Sequence, residues 1–227
     1  MRTPPKYIIP FTGYGFKRLF CSEANKDLCI DFLNEVIKGQ DRIINIHSMS
    51  YRPTCIYDIH CENEYGKKVI VEIQNAVHNY FKERSNYYLS FPIWEKGLQH
   101  EREDRLLKTV YFIGVLNFTF NNDDDSLSYY QHEIRLTDPE KHRYLPDRLS
   151  FISLVVSKFN KTEDELETCI DKWMYALKNL SALERRPLKL QEEVFDKLFK
   201  IAERAKLTPL EEMYYIEPVV HLGNTDF

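Results

Sequence analysis

The stretch "YDIHCENEYGKKVIVEIQ", residues 57–74, constrains the fold more tightly than any other part of the chain. A hairpin closing about Tyr65 pairs Tyr57 with Ile73, Ile59 with Val71 and Cys61 with Val69, all apolar. The other face then pairs Glu62 with Lys68, an opposite-charge cross-strand pair. It also sets Asp58 against Glu72, with Gln74 two residues further along the same face. A slip of one residue destroys this sorting, so the pattern specifies its own register.

Carboxylates directly opposed on neighbouring strands have Cβ atoms roughly 4.5–5.5 Å apart. Two like charges so close are destabilising, and either one takes up a proton or a cation sits between them. Converging hard oxygens suit Mg²⁺ or Mn²⁺, which keep several waters and recruit phosphate oxygens. The alternative is that one acid sits solvated at a strand end and the pairing is coincidental. His60 shares the Asp58 face and could be a ligand, although a solvent-facing strand histidine needs no such role.

Around the hairpin the pattern alternates between helix and strand. Residues 1–15, punctuated by Pro and Gly, are expected to be extended. Ser22 is an N-cap candidate for a helix through "NKDLCIDFLNEVI" that Gly39 stops. "RIINIHSMSY" (42–51) reads as a strand, and residues 75–99 as a long helix disturbed at Pro92. "TVYFIGVLNFTF" (109–120) is continuously apolar and predicts a strand buried on both faces. "NNDDDS" (121–126) reads as a solvated loop, and "YYQHEIRL" and "FISLVV" as strands. After residue 160 the pattern turns helical. Thr162 and Glu165 form a capping box before "LETCIDKWMYALKNL". Residues 188–205 make an amphipathic helix, and Thr208, Pro209 and Glu211 begin another. The expected organisation is an α/β domain over residues 1–160 and a helical extension over 161–227.

Composition excludes several functional classes. The 227 residues, 43% hydrophobic, can bury a sizeable core. Only seven glycines are present, too few to suggest a Gly-rich phosphate loop. A net charge of −4 gives no general attraction to a polyanion, so nucleic acid would need a local basic surface. Five cysteines without a Cys-x-x-Cys motif fit a reduced, intracellular protein. There is no apolar signal core at the N-terminus. No run of about 18 apolar residues exists to span a membrane.

An acid, about a dozen residues containing a turn, then an apolar strand with Glu-x-(Lys or similar) resembles the PD-(D/E)XK nuclease superfamily. The segments "GYGFKRLFCSEANKDLCIDFLNEVI", "YDIHCENEYGKKVIVEIQ", "FKERSNYYLS", "VYFIGVLNF" and "SKFNKTEDELETCIDKWMYALKNL" narrow this. Their order resembles the Rpn-type recombination-promoting nucleases, also called PD-(D/E)XK family transposases, from residue 11 to about 216. The resemblance implies a restriction-endonuclease-like core, a mixed central sheet flanked by helices, with a C-terminal helical extension. It makes Asp58 and Glu72 the metal-binding acids and the backbone carbonyl of Ile73 a further ligand. Gln74 takes the place of the superfamily lysine; it can orient a water but supplies no charge. Arg84 matches the family's Arg-x-x-Tyr-Tyr pattern with Tyr87 and Tyr88, although helix packing accounts for those residues equally well. Lys17 in "GFKRLF" is a second candidate for phosphate contact, set against a solvated lysine at a helix entrance.

Two departures stand out. Related chains often carry an acid where this one has Gly13, and they commonly extend further past the last helix than Phe227. Three functions therefore compete. One is a Mg²⁺- or Mn²⁺-dependent DNA endonuclease of the mobile-element type in a bacterial cytoplasm. A homodimer is expected there, because one site reaches one phosphodiester. The second is a catalytically degenerate relative acting as a DNA-binding or protein-interaction module. The third, a structural α/β domain without nuclease ancestry, requires the ordered motifs to be chance. No helix-turn-helix or zinc-ligand spacing provides base readout, so cleavage is expected to be weakly sequence-specific.

Overall fold

Runs rich in Val, Ile and Phe become strands, because branched and aromatic side chains pack well on a half-buried pleated surface. The structure, a computed structural model, describes residues 4–37, 42–49, 59–63, 68–74, 110–119, 129–134, 137–138, 143–144 and 149–223. The chain divides into a sheet unit, Ile44–Lys158, and a helical unit formed by Met1–Ile43 with Phe159–Phe227. The second boundary lies between Lys158 and Phe159. The helical unit also takes in the first 43 residues.

In the sheet unit the strands are β1 (Ile46–Met49), β2 (Ile59–Asn63), β3 (Lys68–Gln74), β4 (Val110–Leu116), β5 (Gln131–Ile134), β6 (Thr137–Asp138), β7 (Arg143–Tyr144) and β8 (Leu149–Val155). Six of them form one mixed sheet in the order β1-β2-β3-β4-β8-β5, and β6 pairs separately with β7. β1, β2 and β3 run as an antiparallel meander. β3, β4 and β8 are parallel, and β5 closes the edge antiparallel to β8. The five stretches that read as strands correspond to β1, the β2–β3 hairpin, β4, β5 and β8. Every residue of β4 is buried, as its unbroken apolar run predicts. The helix expected over 75–99 and the loop over 121–126 lie outside the described residues.

The helical unit is built from α1 (Gly13–Phe20), α2 (Lys26–Val36), α3 (Cys169–Asn179), α4 (Glu193–Ala202) and α5 (Pro209–Gly223). α1 corrects the expectation of extended chain through residue 15. Thr12 caps it, accepting a hydrogen bond from the Gly15 N–H at 2.9 Å. Phe16, Leu19 and Phe20 are fully buried, and that burial outweighs the helix-breaking tendency of two glycines. Gly15 is required by close approach: a Cβ there would lie 2.1 Å from the Ile9 carbonyl oxygen. Gly13 meets nothing within 4 Å.

Three other helix starts shift for local reasons. Ser22 precedes a short 3₁₀ turn, and α2 begins only at Lys26. The Thr162–Glu165 box closes a separate 3₁₀ turn, while α3 carries its own box from Thr168 and Asp171. Residues 188–192 stay outside α4, where a turn returns the Leu190 N–H to the Pro187 carbonyl at 3.2 Å.

Trp173 of α3 stands at the centre of this unit and is fully buried. Its ring lies 5.0–5.7 Å, centroid to centroid, from Phe195, Phe32 and Phe20. Its indole N–H donates to the Asp31 carboxylate at 2.7 Å, so the one polar atom of the ring is satisfied. The N-terminal segment is stitched to the C-terminal one through backbone bonds from Ile8 N to Ala202 O and from Arg204 N to Lys6 O. The Tyr215 hydroxyl accepts from the Ile9 N–H at 3.1 Å, and Arg18 pairs with Glu211.

Candidate active site

The hairpin register reads as the sequence alternation requires. Ile59 pairs with Val71, His60 with Ile70, Cys61 with Val69 and Glu62 with Lys68. Glu72 therefore sits one step beyond the last described pair, at the C-terminal end of β3. Because β2 is antiparallel to β3, the N-terminal end of β2 lies at that same end. Asp58, immediately before Ile59, lies outside the described residues, as do Arg84, Tyr87 and Tyr88. The carboxyl ends of parallel strands are where open α/β sheets place their ligands.

Lateral register continues across the sheet. On the face that carries Glu72, the first row is Lys68–Val110–Leu149, and the second is Ile70–Phe112–Phe151–Ile134. Glu72–Gly114–Ser153–His132 form the third, and Gln74–Leu116–Val155 the fourth. The opposite face of β3 carries Val69, Val71 and Ile73, all buried.

The acid's own face is apolar too. Ile70, Val110, Phe112, Leu116 and Phe118 form a buried cluster against which Phe151 packs, its ring stacked on Phe112 at 5.1 Å. Sequence pairing weighed only the pairs on either side of His60 and Ile70, and so missed that this face is core for half its length. The acidic position is consequently bordered by a low-dielectric layer, where an uncompensated charge costs more than in water.

Glu72 and Gln74 share a face by the two-residue period of the strand. Ile73 lies between them with its side chain buried on the other side. Lys17 lies in α1 of the helical unit and is half-buried. The described residues thus bring Glu72, Ile73 and Gln74 together and place Lys17 in the other unit. Among the described residues no three His, Cys, Asp or Glu side chains gather into a metal-holding group. The donor types at the end of β3, a carboxylate and main-chain carbonyls, are hard oxygens of the kind Mg²⁺ accepts.

Sequence reasoning passed over Gly114, Ser153 and His132. A signal existed for the first, since an isolated glycine in a strand marks a bulge or a close approach. Nothing in the sequence aligned Ser153 with it, because the register of parallel strands is set by their long connections.

A meander feeding a parallel set of strands, with an acid at the carboxyl end of the joining strand, is the frame of a restriction-endonuclease-like α/β fold. The sequence model of the PD-(D/E)XK nuclease family transposases matches residues 10–219, and the chain belongs to that family. No curated protein and no solved structure matches the chain. Membership supports a nuclease-type function. No helix among the described residues is long and apolar enough to cross a membrane.

Proposed function

We propose that the protein is a divalent-metal-dependent DNA endonuclease that hydrolyses phosphodiester bonds during recombination of mobile DNA. The observation that carries this reading is the hairpin register, whose last described pair is Ile59 with Val71. Continued outward by one residue, it pairs Asp58 with Glu72, and that is the arrangement proposed. Asp58 and Glu72 would hold Mg²⁺ or Mn²⁺ through their carboxylates, and Ile73 through its backbone carbonyl. When bound, such an ion acidifies a water and steadies phosphoryl charge.

The chain's own residues then divide the remaining work. The Gln74 amide, two residues beyond Glu72, orients the attacking water but cannot offset charge. Lys17 and Arg84 are the proposed phosphate contacts, with Tyr88 supporting the site. A homodimer would supply the second site that cutting both strands requires. The setting proposed is a bacterial cytoplasm, in keeping with five cysteines and no Cys-x-x-Cys pair.

Gly13 favours a second reading. It opens α1 and leaves open space where relatives often hold an acid. If that acid is indispensable, the protein is a silent DNA-binding or protein-interaction module.

Plasmid cleavage in Mg²⁺ by the intact chain, Asp58→Ala and Glu72→Ala separates the two. Cutting by the intact chain alone supports the nuclease. Equal cutting by all three removes the proposed chemistry, and no cutting by any leaves the silent module. DNA binding that contacts phosphates must also weaken steeply with salt.

A further inference from the structure

The first two turns of α5 carry their polarity inside out. Glu211 pairs with Arg18, and Glu212 takes the Arg204 Nε–H at 2.7 Å. Tyr215 is buried, its hydroxyl accepting from the Ile9 N–H. At 3.6 residues per turn these three residues share an arc of about 100°. The opposite arc holds Leu210, Met213, Tyr214 and Ile216, which are 58%, 58%, 51% and 39% exposed. They are half of the eight large apolar side chains exposed among the described residues. Single exposed apolar residues need no account, but a contiguous group marks a surface of contact. The helix is not free to roll and hide them. Doing so would take Glu211 and Glu212 from their guanidinium partners and Tyr215 from the core.

Charge and size select the occupant. The chain carries a net charge of −4, so two copies repel unless they meet through a surface without charge. The outward arc from Leu210 to Ile216 has none. Such a face is its own complement. Two copies of the helix packed antiparallel about a two-fold axis bury the same residues from each side, the closure that homodimers most often use. An axis beside Met213 centres the apolar group, and Glu217, one residue past it, falls at the rim. Four side chains about half exposed offer on the order of 400 Å² per copy. Paired, they fall short of the roughly 1,600 Å² of a stable complex, which makes the association weak and concentration-dependent.

We propose that this face of α5 is where two copies of the chain associate, helix against helix about a two-fold axis beside Met213. The inference rests on the homodimer of the nuclease reading, to which it gives a surface.

Sedimentation equilibrium of the full chain, from micromolar to near-millimolar concentration, tests it. The variants are Met213→Glu and Met213→Lys, each also melted thermally at a concentration where the native chain is monomeric. The native chain is expected to form a dimer, and each variant to weaken it at least about 10-fold. Their melting should not change, because Met213 is exposed in the single chain. An equimolar mixture of the two variants should recover the dimer, since the two-fold axis brings their opposite charges together. A native chain that stays monomeric throughout overturns the proposal. Variants that then also melt lower show that the chain itself covers the face; unchanged melting leaves the face to a different protein. A dimer that survives both substitutions places the contact elsewhere and overturns it as well. Plasmid assays keep the two readings apart. Nicking retained after loss of the dimer leaves the metal chemistry standing, whereas a chain that dimerises through α5 but never cuts keeps this contact and removes the nuclease.

Discussion

The helical and sheet units use their polar groups in different ways. In the helical unit, polar side chains satisfy one another and the backbone. Asp31 takes the Trp173 N–H, Glu211 takes the Thr208 N–H and hydroxyl and pairs with Arg18, and Lys161 pairs with the buried Asp171. In the sheet unit, the described central strands are almost wholly apolar, and polar residues on the acid's face collect in one row and at its margins. The contrast separates what holds the molecule together from what is free to bind. The helical unit ties its polar groups together through hydrogen bonds and ion pairs; the sheet gathers most of the polar residues of that face into a single row.

The sharpest way to break that contrast is at Trp173. Trp173→Ala removes a ring packed against Phe20, Phe32 and Phe195 and strands the Asp31 carboxylate. It should cost about 3–5 kcal/mol in urea unfolding. Glu72→Ala, by comparison, should leave the urea midpoint unchanged or slightly raised while cleavage is lost, since on the proposed reading it relieves a like-charge pair with Asp58. A large stability loss at Glu72 would mean that the sheet, too, depends on its polar row for folding.

Gly15→Ala comes next. Its new methyl would meet the Ile9 carbonyl oxygen at 2.1 Å, and backbone cannot move aside cheaply. A loss of about 1–3 kcal/mol is expected in the same assay. Two residues earlier the sign reverses. Gly13 begins α1 in open space. Gly13→Ala should therefore stabilise by about 0.4–1 kcal/mol, through the unfolded chain.

The smallest effect is electrostatic. The Thr208 N–H, the Thr208 hydroxyl and the nearby Arg18 charge hold the Glu211 carboxyl below its ordinary range. A lowered carboxyl contributes stability above its unfolded value, near 4.5, and loses it as pH falls through the folded one. Urea midpoints at pH 7 and pH 3 should accordingly differ less for Glu211→Gln than for the native chain.

What the sequence disclosed follows the range of the forces involved. The β2–β3 register was readable because alternation on neighbouring strands sorts apolar from charged residues within a few positions. β4 was readable because seven consecutive apolar residues admit little else. α1 was hidden: its glycines argue locally for a turn, and the packing that favours the helix comes from partners such as Trp173 and Tyr215, far along the chain. The capping box at Thr162 was real but closed a 3₁₀ turn, since hydrogen-bond reach alone does not say how far a helix runs on. Glu72, Ile73 and Gln74 were legible as a local motif. The row joining Glu72 to Ser153 was not, because two crossovers of the chain set it.

The pairing of Tyr7 with Glu203 carries a consequence for biosynthesis. Residues up to Ile43 share their unit with chain made from Phe159 onward, while everything from Ile44 to Lys158 belongs to the other unit. On a ribosome, the sheet emerges whole while Ile8 and Phe20 still lack Ala202 and Trp173. The segment made before the sheet is thus fully housed only after it, and in the interval part of its apolar surface stays uncovered.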